Sequence, residues 1–208
     1  MTTPFAESTR GPSWVPISIV LILCALPAVM MLHAIANDLL GPDPAEALMH
    51  ISGEWSIRFL MVVLCARPLA RYGWSLFMRF RRMLGVTTFF YAGLHLLVFL
   101  QVYVGWQSDI LFEELTERPY VVVGFIAWLI LLVLAVTSLN RLRRALGARW
   151  RSLHQSVYIV AVLVVCHVLW LSRSDIGAAL FYGVVFAGLL GWRLQQKRKY
   201  FTKQLPSE

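Results

Sequence analysis

Apolar residues dominate six stretches of the chain, at about 15–36, 55–70, 84–104, 120–139, 153–172 and 176–194, with turn residues or clustered charges between them. About 20 helical residues cross a hydrocarbon core, and these stretches are close to that length. The pattern predicts an all-α integral membrane protein: a bundle of six transmembrane helices over residues 15–195, preceded by a segment 1–14 and followed by a basic tail 196–208. With 59% hydrophobic and 14% charged residues in a chain of 208, no stretch is left over for a soluble catalytic domain.

The connections alternate in sign. Residues 37–54 carry Asp38, Asp43, Glu46 and Glu54 without Lys or Arg, and 67–82 carry Arg67, Arg71, Arg79, Arg81 and Arg82 without an acid. The next loop is acidic (Asp109, Glu113, Glu114 and Glu117 against Arg118), and 140–152 is basic (Arg141, Arg143, Arg144, Arg149, Arg151). The tail holds Arg193, Lys197, Arg198, Lys199 and Lys203. Basic loops stay cytoplasmic, so both termini are expected on the cytoplasmic side of the membrane. The net charge of +8 then faces anionic lipid and does not form a nucleic-acid-binding stripe. Trp14, Trp55, Trp74, Trp106, Tyr120, Trp170, Trp192 and Tyr200, at the ends of runs, fit the headgroup level. Ala34-Ile35-Ala36 has the small-residue form of a signal cleavage site. The run from Trp14 is longer than a usual signal core and the leader's charges, Glu7 and Arg10, cancel, so a retained first helix is expected.

Motif chemistry is sparse. Cys24, Cys65 and Cys166 lie inside apolar runs without metal-ligand spacing, as inert thiols do. No phosphate loop, nucleophile elbow or zinc-type histidine motif occurs. The informative residues are histidines, because an ionisable group at membrane depth is costly and marks a pathway, relay or ligand site. His95 lies in the third run, His167 in the fifth, and His154 at the start of the fifth. Thirteen residues separate Arg82 from His95 and sixteen separate Arg151 from His167, rises of roughly 20 and 24 Å on a helix. Both histidines are therefore expected toward the outer leaflet at similar depth, where each can give one axial nitrogen to the iron of a shared b-type haem. An interhelical hydrogen bond is the alternative for either residue alone. Phe89, Phe90, Tyr91, Ala92 and Gly93 are expected to let a flat macrocycle approach the third helix.

His154 differs. On a straight helix the 13 residues to His167 turn by about 220°, so the two side chains face apart. It remains open as the sole ligand of a second haem, a contact to a quinone or flavin, or an interface residue. His33 and His50, at the outer ends of the first two spans, are expected to be exposed. Arg58 is a candidate for a haem propionate or, with Glu54 four residues before it, half of a local ion pair; Arg118 and Arg173 are weaker propionate candidates.

The stretches GPDPAEALMHISGEWSIRFL, RPLARYG, RFRRMLGVTTFFYAGLHLL, ERPYVVVGFIAWLILLVLAVTS and LHQSVYIVAVLVVCHVLW resemble the MsrQ (YedZ) family, haem-binding membrane subunits of bacterial periplasmic methionine sulfoxide reductase systems, within the ferric-reductase-like transmembrane group. The likeness runs through about residues 40 to 195 in order and spacing and is weak at both termini. It implies a b-type haem, about one per chain, an associated FMN, and electrons from the quinone pool or a cytoplasmic flavin reductase. Delivery would be to a periplasmic molybdopterin-containing methionine sulfoxide reductase, so the chain itself would not be the site of sulfoxide reduction. His95, His154 and His167 match the family's histidines. Larger relatives carry two histidines on the third span, whereas Arg81 and Arg82 stand here where the inner one is expected, which puts a standard second haem in doubt and leaves room for an FMN or quinone with the arginines on a phosphate. Those relatives also append nucleotide-binding domains; this chain ends soon after its last span, so electrons are expected from another molecule.

Two other readings stand beside this one: a ferric reductase or b561-type quinol oxidoreductase with another client, and, from a different class, a transporter or assembly factor whose histidines bind a substrate or metal. Intramembrane acids would favour the last, and the spans carry almost none, with Glu54 at an edge.

Overall fold

A computed structural model describes residues 17–171 and 176–202. The segment 1–14, Arg173 and the last six residues of the basic tail lie outside the described residues. The described chain is helical: α1 (Ile17–Ala36), α2 (Pro44–Arg71), α3 (Leu76–Val98), α4 (Ser108–Glu117), α5 (Pro119–Val136), α6 (Asn140–Leu146), α7 (Arg149–Leu153), α8 (Val157–Leu171) and α9 (Ile176–Thr202). Six helical stretches are long and apolar enough to cross a membrane, with α3 extended by a π-helical segment to Val104 and α7 joined to α8 through a 3₁₀ turn at His154–Ser156. The protein is a multi-pass membrane protein built as a six-helix bundle.

Helices outrun the apolar runs where a start signal lies upstream of them. Asp43 caps α2, its carboxylate accepting from the Glu46 N–H at 2.9 Å, and Pro44 occupies the first turn, where a missing N–H costs nothing. The helix therefore starts eleven residues before its apolar run, at Pro44 against 55. The loop predicted at 105–119 contains α4, and the basic loop contains α6.

Two cores share α2. Ile57, Leu60 and Leu64 pack with α5 (Ala127, Leu131, Leu134), α8 (Val157, Val160, Ala161) and Phe186 of α9. Phe59 and Val63, on the other side of α2, pack with Cys24 and Met31 of α1 and with Phe80, Leu84 and Tyr91 of α3. Outward-facing residues such as Ile22, Leu32 and Val184 stay exposed, as lipid-facing side chains do. Tyr91, fully buried, ties α1 to α3: its hydroxyl donates to the Cys24 carbonyl at 2.8 Å and accepts from the Ala28 N–H at 3.0 Å. Those two groups are i→i−4 partners in a helix, so the hydroxyl enters the ladder of α1 beside Pro27, where the helix already lacks a donor. Ser56 crosses from α2 to the Thr88 carbonyl of α3 at 3.1 Å.

Candidate functional site

α3 and α8 bring His95 and His167 together, with ring centroids 6.3 Å apart and planes at 88°. Each ring is oriented by a carbonyl of a third and a fourth helix. The His95 Nδ1 lies 3.0 Å from the Met49 oxygen on α2, and the His167 Nδ1 lies 2.7 Å from the Tyr120 oxygen on α5. A carbonyl only accepts, so both Nδ1 atoms carry the proton and both Nε2 atoms keep their lone pair. A neutral imidazole held through one nitrogen with the other bare is the form a metal ligand takes.

The depth argument from Arg82 and Arg151 thus places two rings that do meet. Not all of the expected surroundings follow. Phe89 turns toward α5, 5.9 Å from Trp128, but Tyr91 faces α1 and stacks on Phe59 at 5.3 Å, and Phe90 is half exposed. An α-helix distributes successive residues around its circumference, so this five-residue stretch cannot line one surface. Beside Phe89, the Trp128 Nε1–H is buried without an acceptor, and Gly93 lies next to it.

His154 belongs to a separate cluster at the arginine-rich end. Its ring stacks on Trp150 at 4.0 Å, its Nδ1 donates to the Trp150 carbonyl at 3.2 Å, and its Nε2 lies 3.3 Å from the Ser138 hydroxyl oxygen. Ser138 already directs its one proton to the Leu134 carbonyl at 2.8 Å. The His154 ring therefore lies among two backbone acceptors, the Trp150 and Leu134 carbonyls, and the Ser138 hydroxyl. Trp150 is fixed in turn by donation to the Thr137 carbonyl at 3.0 Å. The 3₁₀ turn at His154 means that the straight-helix angle to His167 does not apply as reckoned.

The arginines divide. Arg58 pairs with Glu54 at 2.5 Å and lies over Trp55 at 4.9 Å, which is the local ion pair. Arg82 donates to the Asn140 side chain at 2.7 Å, linking α3 to α6. Arg193, over the Tyr158 ring at 4.2 Å, is within electrostatic reach of Arg67 and Arg81, and Arg81 also acts on His154. At the acidic end Arg118 pairs with Glu114 at 3.2 Å. A cleft lined by Glu117, Arg118, Pro119, Tyr120, Trp170 and Leu171 opens there, beside the residue whose carbonyl holds His167. Among the described residues no group of three or more His, Cys, Asp or Glu side chains is placed to hold a bare metal ion.

Sequence reasoning missed Met49, Tyr120, Ser138 and Trp150, because backbone acceptors and ring stacks leave no spacing signature. It also missed Gly53 and Gly124, against which the His95 and His167 rings pack. The available signal was, at Gly124, a glycine inside the apolar run 120–139; Gly53, before the run at 55–70, carried none.

Residues 52–165 match the family described as the ferric reductase like transmembrane component, a stretch that includes His95 and His154 and stops two residues before His167. A relative from Azospira oryzae is 42% identical over 179 residues, covering 85% of this chain and 77% of its own. One from Xanthomonas euvesicatoria pv. vesicatoria is 42% identical over 162 residues, 77% of this chain and 74% of that one. Both are named protein-methionine-sulfoxide reductase heme-binding subunit MsrQ. No solved structure matches the chain. With the matched stretch covering more than half its length and relatives aligned over three quarters of theirs, the chain belongs to the ferric reductase like transmembrane family, in its MsrQ branch.

Proposed function

We propose that this protein is a membrane haem subunit that carries electrons across the bacterial inner membrane to a periplasmic, molybdopterin-containing methionine sulfoxide reductase, with His95 and His167 as the residues that would hold one b-type haem. The observation that carries the reading is the spacing of the two rings. A nitrogen–metal bond is about 2 Å and an imidazole centre lies about 1 Å beyond its nitrogen, so two rings sharing one metal are centred about 6 Å apart, against 6.3 Å here. Both Nδ1 atoms are engaged, leaving the Nε2 atoms for the iron. Haem iron, when bound, supplies one-electron chemistry by cycling between its ferric and ferrous states.

The chain's own residues set the conditions for that chemistry. The carbonyls of Met49 and Tyr120 fix tautomer and ring plane and make the ligands more basic. The buried Trp128 Nε1–H, without an acceptor, offers a donor on the flank of α3. With basic loops cytoplasmic, the acidic end, with α4 and the cleft at Tyr120 and Trp170, faces the periplasmic partner. At the cytoplasmic end Arg81 and Arg82, beside loops that contain no acid, suit the phosphate of an FMN or the oxygens of a quinone. His154, on which Arg81 acts, adjoins that site. Electrons arrive there from the quinone pool or from a cytoplasmic flavin reductase.

The purified protein in lipid vesicles, mixed anaerobically with a quinol or with reduced FMN, tests this role. Reduction of the haem within seconds, followed by reoxidation when a periplasmic methionine sulfoxide reductase is added, is the expected result. A haem that neither reductant reduces contradicts it, and a haem reoxidised equally by ferric chelates without the partner would favour the ferric reductase reading.

A further inference from the structure

The surroundings of His95 and His167 are built twice on one plan. On α2 the carbonyl of Met49 accepts from the His95 Nδ1, and the residue four positions on is Gly53. On α5 the carbonyl of Tyr120 accepts from the His167 Nδ1, and the residue four positions on is Gly124. Within a helix the amide of residue i+4 bonds to the same carbonyl, so each oxygen uses both its lone pairs, one for its own helix and one for an imidazole. The imidazole must then approach the helix alongside residue i+4, and any side chain there stands in its way.

The distances bear this out. A Cβ on Gly53 would lie 3.1 Å from the His95 Nδ1 and 3.3 Å from its Cε1, and a Cβ on Gly124 would lie 2.8 Å from both the Cε1 and the Nδ1 of His167. Other helix glycines are not placed so. Gly85, Gly188 and Gly191 meet nothing within 4 Å, and Gly93 and Gly183 have their nearest neighbours at 4.0 and 3.6 Å. Glycine inside a helix is destabilising relative to alanine, so it needs a reason. Close helix–helix approach is a common one. At Gly53 and Gly124, however, the three nearest atoms are all imidazole atoms rather than backbone of a neighbouring helix.

We infer that Gly53 and Gly124 are positioning residues for the two imidazoles, each keeping open the channel through which a ring reaches its carbonyl, and so fixing which nitrogen is bare and how the rings are turned. The inference rests on the proposed ligation, and its test separates the two. Gly53→Ala, Gly124→Ala and the control Gly85→Ala are purified in detergent beside His95→Ala and His167→Ala. Helical content and monodispersity report folding. Haem per chain, the low-temperature EPR spectrum of the ferric protein and the midpoint potential report the ligand geometry. In haem-free protein the ¹⁵N shifts of labelled histidine report the tautomer.

G124A is expected to retain haem about tenfold less well or worse, in line with changes to groups that orient metal ligands. G53A, with the milder approach, is expected to keep haem with shifted g-values and potential, and G85A to match wild type. Loss of the Nδ1–H histidine signals in haem-free G53A or G124A would support the same conclusion without haem. Should G124A fail to fold, G53A decides alone. Wild-type g-values, potential and histidine shifts in folded G53A and G124A would overturn the inference while leaving the ligands in place. Normal haem content in both H95A and H167A would overturn the ligation itself.

Discussion

His95 and His167, 72 residues apart in sequence, face each other across 6.3 Å with perpendicular rings, and each is held by the carbonyl of a helix other than its own. Four helices thus meet at one pair: α3 and α8 supply the rings, α2 and α5 the acceptors. The α2 and α5 helices share a packed core, so the geometry of the pair is fixed by apolar packing rather than by a loop.

His154 sits outside that pair, stacked on Trp150. In His154→Ala the six-coordinate optical signal assigned to His95 and His167 is expected to persist, while reduction by quinol or reduced FMN slows. Stopped-flow absorbance of the haem band checks both. Loss of that signal in H154A would instead place His154 among the residues that hold that haem.

At the arginine-rich end, Arg81→Ala and Arg82→Ala are expected to weaken FMN binding about tenfold or more, because hydrogen bonds to charged groups are worth about 1.5–3 kcal/mol. Fluorescence titration of the purified protein with FMN measures this directly. R82A also frees Asn140 from its 2.7 Å bond, so a loss in R82A alone would point to the α3–α6 link, whereas a loss in both variants points to the phosphate.

Tyr91→Phe keeps the ring that stacks on Phe59 and removes the hydroxyl between Cys24 and Ala28. One backbone carbonyl and one N–H on α1 are then left without that partner, at a cost of about 1–3 kcal/mol. Thermal unfolding of the detergent-solubilised variant should show the loss. Haem content should stay at the wild-type level, because Tyr91 faces α1 and not the histidine pair.

Asp43→Ala removes the cap of α2 at an exposed site, and a loss of about 1 kcal/mol is expected. Asp43→Asn, which keeps an acceptor oxygen, is expected to restore most of it in the same assay.

Much of this was legible in the sequence. The six spans follow from apolar length, and the similar depth of His95 and His167 follows from counting residues from Arg82 and Arg151, because helical rise is constant; that the two rings meet is seen only in the structure. The start of α2 at Pro44 was hidden by polar residues, although Asp43-Pro44 is a helix-start signal in its own right. The sequence expects Tyr91 with its four neighbours beside a macrocycle, whereas the helical turn sets it against α1 and Phe59. Backbone acceptors such as Met49 and Tyr120 carry no side-chain signature, so the device that orients each imidazole appears only in three dimensions. The orientation of Arg58 toward Glu54 was one of two alternatives the i, i+4 spacing already offered.

Ligation of one haem by His95 and His167 is tested by haem per chain with oxidised and reduced optical spectra of wild type, His95→Ala and His167→Ala, each checked for retained helical content. A reducible six-coordinate b-type spectrum near one haem per chain in wild type, lost or converted to a five-coordinate form in both variants, is the predicted result. Wild-type haem content and an unchanged six-coordinate spectrum in the two folded variants would contradict it.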